Sequence, residues 1–253
     1  MTSLSIIIPV YDPNENFEIY LHELFESIMF QTQYPDQIIL GGSSIPRYLE
    51  RLLREYNSKL KISLIMNNSD STSSNLNSLT CESTSVITKI LFQDDYFIDL
   101  DAIRTIKSHF EDSSTVWLAA SSKNYNDQTK VFERNIHPKM SSRLADGINS
   151  IGSPSVIAFK TENFLPFNEN LKWLLDCEWY LRMAHTHGNP KIIKEFQISN
   201  RLHANQATHT AKGLQTIESQ MVHSIHRQRD FRYSFWKRSS SAKCSCSGFR
   251  YEP

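Results

Sequence analysis

The sequence predicts an α/β protein with a mostly parallel central sheet and helices on both faces. Three observations predict it: short apolar runs rich in β-branched residues, helical stripes between those runs, and turn residues wherever one gives way to the other. With 253 residues, 40% of them hydrophobic and 21% charged, the chain supplies a core for that architecture and excludes wholesale disorder.

Leu4 to Val10 reads as a strand buried on both faces, ended by Pro9 and the turn-prone Asp12-Pro13-Asn14. Phe17, Tyr20, Leu21, Leu24, Phe25, Ile28 and Met29 then follow the i, i+3, i+4, i+7 spacing of a helix. The unit repeats as a strand at Gln37 to Leu40, a helix striped by Tyr48, Leu49, Leu52, Leu53 and Tyr56, and a strand at Lys61 to Met66. After a polar stretch, Asn67 to Ser78, come a strand at Val86 to Phe92, a helix at Asp99 to Phe110 and a strand at Thr115 to Ala120. Residues 121 to 150 read as a long polar loop or a small subelement, the kind of segment that often serves as a mobile lid. A strand at Val156 to Lys160, a helix at Leu171 to His185 stopped by Gly188 and Pro190, a strand at Phe196 to Leu202 and a helix at Gly213 to Arg229 complete the reading. Ligands of such a sheet gather at the carboxyl ends of its strands.

Charge and cysteine content narrow the function. Lys+Arg and Asp+Glu both number 27, so no basic excess gathers a phosphate polymer, and nucleic acid is not an expected partner. Cys81, Cys177, Cys244 and Cys246 are too scattered for a disulfide framework and lack zinc-knuckle spacing, which fits a reducing cytoplasm. No basic leader and no apolar run of about 18 residues occurs, so the expectation is a soluble protein or one resting on the inner membrane face. Neither G-x-G-x-x-G nor G-x-x-x-x-G-K-[ST] is present, nor are the serine-hydrolase and zincin motifs G-x-S-x-G and H-E-x-x-H. His223 and His226 share a helix face without further ligands and read as surface histidines.

Asp94 and Asp95 directly follow the fourth strand, at the sheet edge where a ligand would lie. Adjacent carboxylates suit either a solvated turn or a hard cation, since Mg²⁺ or Mn²⁺ takes one or two carboxylates plus substrate phosphates. Asp176 and Glu178 open a largely apolar helix, where the dipole alone would favour an anion. His203, in Arg201-Leu-His-Ala-Asn-Gln206, follows a strand and could touch phosphate or metal, or simply be hydrogen-bonded structure.

Taken in order, these words resemble the glycosyltransferase family 2 proteins of GT-A fold. The resemblance rests on Ser5-Ile-Ile-Ile-Pro-Val-Tyr11, the Asp94-Asp95 pair, Ile151-Gly-Ser-Pro-Ser155 before a strand, Asp176 six residues before Arg182, and Arg201-x-His203-x-x-Gln206-x-Thr208, over roughly residues 4 to 210. It implies a nucleotide-diphospho-sugar transferase in which Pro9, Val10, Tyr11, Glu15, Gly42 and Ser43 border the nucleotide. Asp94 would correspond to the last Asp of the D-x-D motif, and Asp94, Asp95 and His203 would hold the divalent metal and diphosphate. Asp176 would be the general base, while Gly152, Ser153, Pro154, Trp173 and Glu178 would border the sugar or acceptor. The chain departs from the family pattern at Leu40-Gly-Gly-Ser-Ser44, where an acidic loop is usual, at Phe92 in place of the first D-x-D Asp, and at Leu175 in place of the Glu before the base.

The implied organisation is one GT-A domain over 1–212, with a nucleotide-binding half at 1–98 and an acceptor-side half at 99–212, followed by a helix and tail at 213–253. The implied activity is inverting, metal-assisted transfer of a sugar from a nucleotide-diphosphate donor to a glycan or lipid-linked acceptor. A catalytically degenerate sugar-nucleotide or glycan-binding module is the alternative on the same fold. A nucleotidyltransferase fits less well, because no Gly- and Arg-rich activating loop lies near the first strand. In the tail, Arg227, Arg229, Arg232, Lys237 and Arg238 interleave with Phe231, Tyr233, Phe235 and Trp236, a composition suited to an anionic membrane surface or to docking on the core.

Overall fold

Leu4–Pro9 forms strand β1, and its alternation divides the interior in two: Ile6 and Ile8 enter one apolar core while Ile7 enters the other. The first core is closed by helices α1 (Asn16–Met29), α2 (Arg47–Tyr56) and α4 (Ala102–His109), through Leu21, Leu24, Leu49, Leu52, Ile103 and Ile106. The second is closed by α3 (Thr72–Cys81), α5 (Leu175–His187) and α6 (Gln215–Arg232), through Leu76, Leu79, Trp179, Met183 and Val222. Helices therefore cover both faces, as the sequence predicts. The computed structural model describes residues 2–11, 16–44, 47–67, 71–204, 212–232 and 249–250.

Strands β2 (Gln37–Gly42), β3 (Ile62–Met66) and β4 (Ile87–Ile90) pair in parallel around β1 in the order β3-β2-β1-β4. Beyond β4 the antiparallel strand β8 (Ile157–Lys160) joins this half to β6 (Trp117–Asn126), and β6 runs parallel to β9 (Lys191–Leu202). The short strand β5 (Tyr96–Phe97) pairs antiparallel with β9, β7 (Val131–Ile136) with β6, and β10 (Phe249–Arg250) with β3. The carboxyl ends of β1, β2 and β4 thus face the segment before β8, and β9 delivers residues 200–203 to the same edge.

Two segments take a definite form. Helix α3 begins within the polar stretch 67–78, capped by Ser71 and anchored by only two leucines, Leu76 and Leu79. Of the loop or small subelement expected over 121–150, the structure forms a subelement: β6 continues to Asn126, β7 returns antiparallel to it, and Ser142–Asp146 forms a 3₁₀ turn. Within it, β6 pairs with β9 as far as Asn126↔Leu202. Glu15, Gln206, Thr208 and the tail residues 233–248 lie outside the described residues.

Candidate functional site

At the end of β1 the backbone of Tyr11 is gripped by a side chain. Gln93 accepts from Tyr11 N at 3.0 Å and donates to Tyr11 O at 2.6 Å, so its buried carboxamide mimics a strand partner. The Tyr11 ring is left 62% exposed, available to a ligand. Val10 N donates to Gly41 O at 2.8 Å, and a Cβ on Gly42 would lie 2.3 Å from Val10 O. Only glycine fits that approach, which explains physically why the β2 end carries Gly41-Gly42. Asn75, buried on α3, donates to Gly41 O at 2.7 Å. Pro9, Val10, Tyr11 and Gly42 are therefore brought together, with Ser43 following on the same strand end.

The two aspartates after β4 have different surroundings. Asp94 is partly exposed, and its Oδ2 lies 2.9 Å from His203 Nε2. The His203 ring packs edge-on against Phe17 at 5.6 Å and lies 5.4 Å from the Tyr20 ring. Asp95 is 4% exposed and both its oxygens are occupied: Oδ1 accepts from Arg201 N at 3.0 Å, Oδ2 from Asn200 Nδ2 at 3.0 Å and Ser153 Oγ at 3.3 Å. Burial, and then the neighbouring Asp94 charge, raise the Asp95 carboxyl above the ordinary carboxylate range. These bonds make the Asp95 carboxylate a strut between β4, β9 and the Ser153 turn.

Beneath Asp95 lies an unexpected buried cation. Lys89, on β4, has no solvent exposure and donates to the carbonyls of Ile90 (2.9 Å), Ile157 (3.4 Å) and Ser155. Burial lowers its ammonium to about 7 against the opposing pull of Asp95. Ser155 Oγ in turn accepts from Phe92 N at 2.9 Å. These bonds clamp the segment carrying Asp94 to the segment carrying Gly152, Ser153 and Pro154.

Asp176 sits in the first turn of α5. Its Oδ1 accepts from Cys177 N at 2.7 Å and its Oδ2 from Asn149 Nδ2 at 2.7 Å. Desolvation nevertheless raises its carboxyl to about 6, overcoming those bonds. Asn149 Nδ2 also donates to Gly152 O (2.9 Å), which accepts in addition from Tyr180 Oη (3.0 Å). Asn200 Nδ2 donates to Ser153 Oγ at 2.7 Å. Asp176 is thus linked through Asn149, Gly152, Ser153 and Asn200 to Asp95, beside Asp94 and His203.

Glu178 is 1% exposed and forms a two-pronged ion pair with Arg182, both bonds 2.8 Å, one turn along α5. Trp173 is held through its backbone: Lys172 N, Trp173 N and Leu174 N all donate to the Glu218 carboxylate of α6, at 2.9, 2.9 and 2.8 Å. This carboxylate satisfies orphan N–H groups at the entrance of α5. Gln93, Asn149, Asn200 and Lys89 were not foreseen as site residues; only Gln93 carried a signal, as the residue opening the Gln-Asp-Asp triplet.

Among the described residues, no three His, Cys, Asp or Glu side chains come together as a ready-made metal cage. Asp94 and His203 meet as a pair at 2.9 Å, among the described residues the one contact between predicted metal-binding side chains. A depression of about 390 Å³ is lined by Arg201 with Glu23, Glu26, Phe30, Tyr96 and Tyr125, and none of Asp94, Asp176 and His203 lines it. Among the described residues, no helix is long and apolar enough to cross a membrane. His223 pairs with Asp146 at 2.9 Å.

No family model matches the sequence, and no curated protein matches it. Solved structures do resemble it in three dimensions. S. aureus TarS 1-349 in complex with UDP-GlcNAc matches with a TM-score of 0.64 at 17% identity, over 83% of this chain and 61% of that one. S. aureus TarS matches with a TM-score of 0.61 at 16% identity, over 93% of this chain and 44% of that one. The mannosyltransferase PcManGT from Pyrobaculum calidifontis, in complex with GDP-Man and Mn²⁺, matches with a TM-score of 0.60 at 14% identity, over 90% and 65%. The chain thus spans less than two thirds of the length of these structures. Its α/β architecture, with helices on both sheet faces, is that of the GT-A glycosyltransferase fold.

Proposed function

We propose that the protein transfers a sugar from a nucleotide-diphosphate donor to a hydroxyl acceptor, with inversion at the anomeric carbon. The observation that carries this reading is a series of hydrogen bonds, joined through the chain neighbours Gly152-Ser153 and Asp95-Asp94, with Asp94 and His203 at one end and Asp176 at the other. The two tasks of glycosyl transfer, receiving a diphosphate leaving group and removing an acceptor proton, fall to those two ends. The solved structures with UDP-GlcNAc and with GDP-Man and Mn²⁺ support the donor class.

Asp94 and His203 would hold a divalent cation, Mg²⁺ or Mn²⁺, which supplies Lewis-acid stabilisation of the departing diphosphate. Tyr11, presented by the Gln93 clamp, borders the nucleotide with Pro9, Val10, Gly42 and Ser43. Asp176 takes the acceptor hydroxyl proton, assistance worth about 10²–10⁴-fold, and a carboxyl near 6 is poised for that role at neutral pH. Gly152, Ser153 and Pro154 border the transferred sugar, and Trp173 stands at the acceptor side. A glycan or lipid-linked acceptor on the cytoplasmic side, the tail resting on the membrane, completes the reading.

Thermal shift with UDP, GDP, UDP-GlcNAc and GDP-mannose, with and without Mn²⁺, tests donor binding. Asp176→Asn should keep the metal-dependent shift and lose release of nucleoside diphosphate; near-native turnover would refute the base. A binding module without turnover is favoured by one observation, the absence of any acid at Gly41-Gly42. Ligand-induced stabilisation with no product across the donor and acceptor panel would establish it.

A further inference from the structure

The turn from 149 to 152 is folded around a single side chain. Asn149 Oδ1 accepts from Ile151 N (3.0 Å) and Gly152 N (2.9 Å), while its Nδ2 donates to Gly152 O (2.9 Å) and Asp176 Oδ2 (2.7 Å). Gly152 adopts φ +125°, a conformation that favours glycine, and a Cβ there would touch Val156. The carboxamide is therefore saturated, and three of its bonds serve only to hold the fourth in place.

We propose that Asn149 is the positioning residue for Asp176, fixing the rotation of its carboxylate so that one oxygen stays presented to the acceptor hydroxyl. The inference rests on the reading of Asp176 as the base. Carboxylate torsions are broad and two-fold, and the Cys177 contacts, backbone N at 2.7 Å and thiol, both come from α5 itself, so Asn149 is what ties the second oxygen to the turn. A carboxamide alone among side chains of this size donates to Asp176 while accepting from the turn. An aspartate would place a second anion against the first, and a leucine would offer nothing.

Among the described residues, Asn149 is the side-chain partner that reaches Asp176 from outside α5, beside the Cys177 backbone N and thiol. On α5, Cys177 and Tyr180 are held protonated by burial, and Glu178 is neutralised by Arg182. On the packed 3₁₀ turn, Arg143 is exposed and Asp146 pairs with His223 of α6, where Glu218 is consumed by backbone N–H groups. On the segment leading into the turn, Lys139 is exposed and His137 bonds Ser121.

Two variants test this, Asn149→Leu and the near-isosteric Asn149→Asp, which retains the acceptor oxygen for Ile151 and Gly152. Carbon NMR of the Asp176 carboxyl in the full chain reads its titration directly, without turnover. Both variants should raise the midpoint, because a bond favouring the charged form is lost. Release of nucleoside diphosphate from UDP-GlcNAc or GDP-mannose, whichever donor is turned over, should show kcat reduced about ten- to hundredfold with donor KM within about twofold. The acid limb of its pH profile should move with the NMR midpoint. An unchanged midpoint, or a loss confined to donor KM, would overturn the proposal. Should Asp176→Asn retain turnover, the base reading fails by itself, and the NMR shift still reports whether Asn149 holds the carboxylate.

Discussion

Removing Glu178 separates an acid buried in an ion pair from Asp176, the proposed base, on the same helix turn. Its carboxylate and the Arg182 guanidinium are 2% and 9% exposed and share two 2.8 Å bonds. Glu178→Ala strands a guanidinium in that enclosure, and breaking one partner of a buried pair costs about 3–5 kcal/mol. For a chain of this size each kcal/mol moves Tm by about 2–4 °C, so the melting point should fall roughly 6–20 °C. Urea unfolding should show the same loss as a lower midpoint with unchanged slope. The double variant Glu178→Met/Arg182→Met should recover most of it, since replacing both charges by apolar groups is often neutral or better. A loss in Glu178→Ala of under about 1 kcal/mol, with transfer nonetheless abolished, would refute the structural assignment.

Gln93→Ala removes both bonds to Tyr11, together about 1–3 kcal/mol, so amide exchange at Tyr11 should accelerate roughly 5- to 150-fold, and unaltered exchange would dismiss the clamp. Gly42→Ala places a Cβ 2.3 Å from Val10 O, backbone that must move; urea unfolding should register about 1–3 kcal/mol and nucleotide-induced thermal shifts should shrink, whereas native-like melts would show the strand ends yield freely. Because burial raises the Asp176 carboxyl to about 6, its protonated form favours the fold: that stabilisation is complete below the ordinary carboxyl range and disappears as pH climbs through about 6. Denaturation midpoints between about pH 4 and pH 7 should therefore fall more in the wild type than in Asp176→Asn; parallel curves would contradict a raised carboxyl.

The parts of this fold that the sequence announces are those whose burial imposes a period. β1 and α1 bury continuous apolar patterns and were readable to within a residue or two. α3 hides because ten residues contribute two inward leucines among serines, threonines and asparagines, a composition shared with loops. β7 hides because it is exposed along nearly its whole length, so no buried face enforces alternation. At the site, Asp94 and His203 stand out as ionisable residues beside strand ends, and they do meet. Asn149, Asn200 and Gln93 leave no comparable trace, since a carboxamide's role depends on which backbone groups the fold brings to it. The Glu178–Arg182 pair has no sequence mark either, because a helix-opening acid beside Asp176 looks the same in sequence whether it faces a crevice or an arginine one turn on.

Arg201 joins three parts of the molecule through one guanidinium. Its Nε donates to Asp94 O (3.0 Å), its Nη1 to Asp127 at the tip of the β6–β7 hairpin (2.9 Å), and its Nη2 to Glu23 of α1, with the Tyr20 ring 4.3 Å away. In descendants of this chain, positions 23, 127 and 201 are not free to drift separately. Losing either acid leaves an enclosed cation short of countercharge, and losing the arginine sets two anions adrift beside Asp94. Lineages should exchange the trio together or keep it whole, so the hairpin tip inherits a constraint from chemistry it never touches.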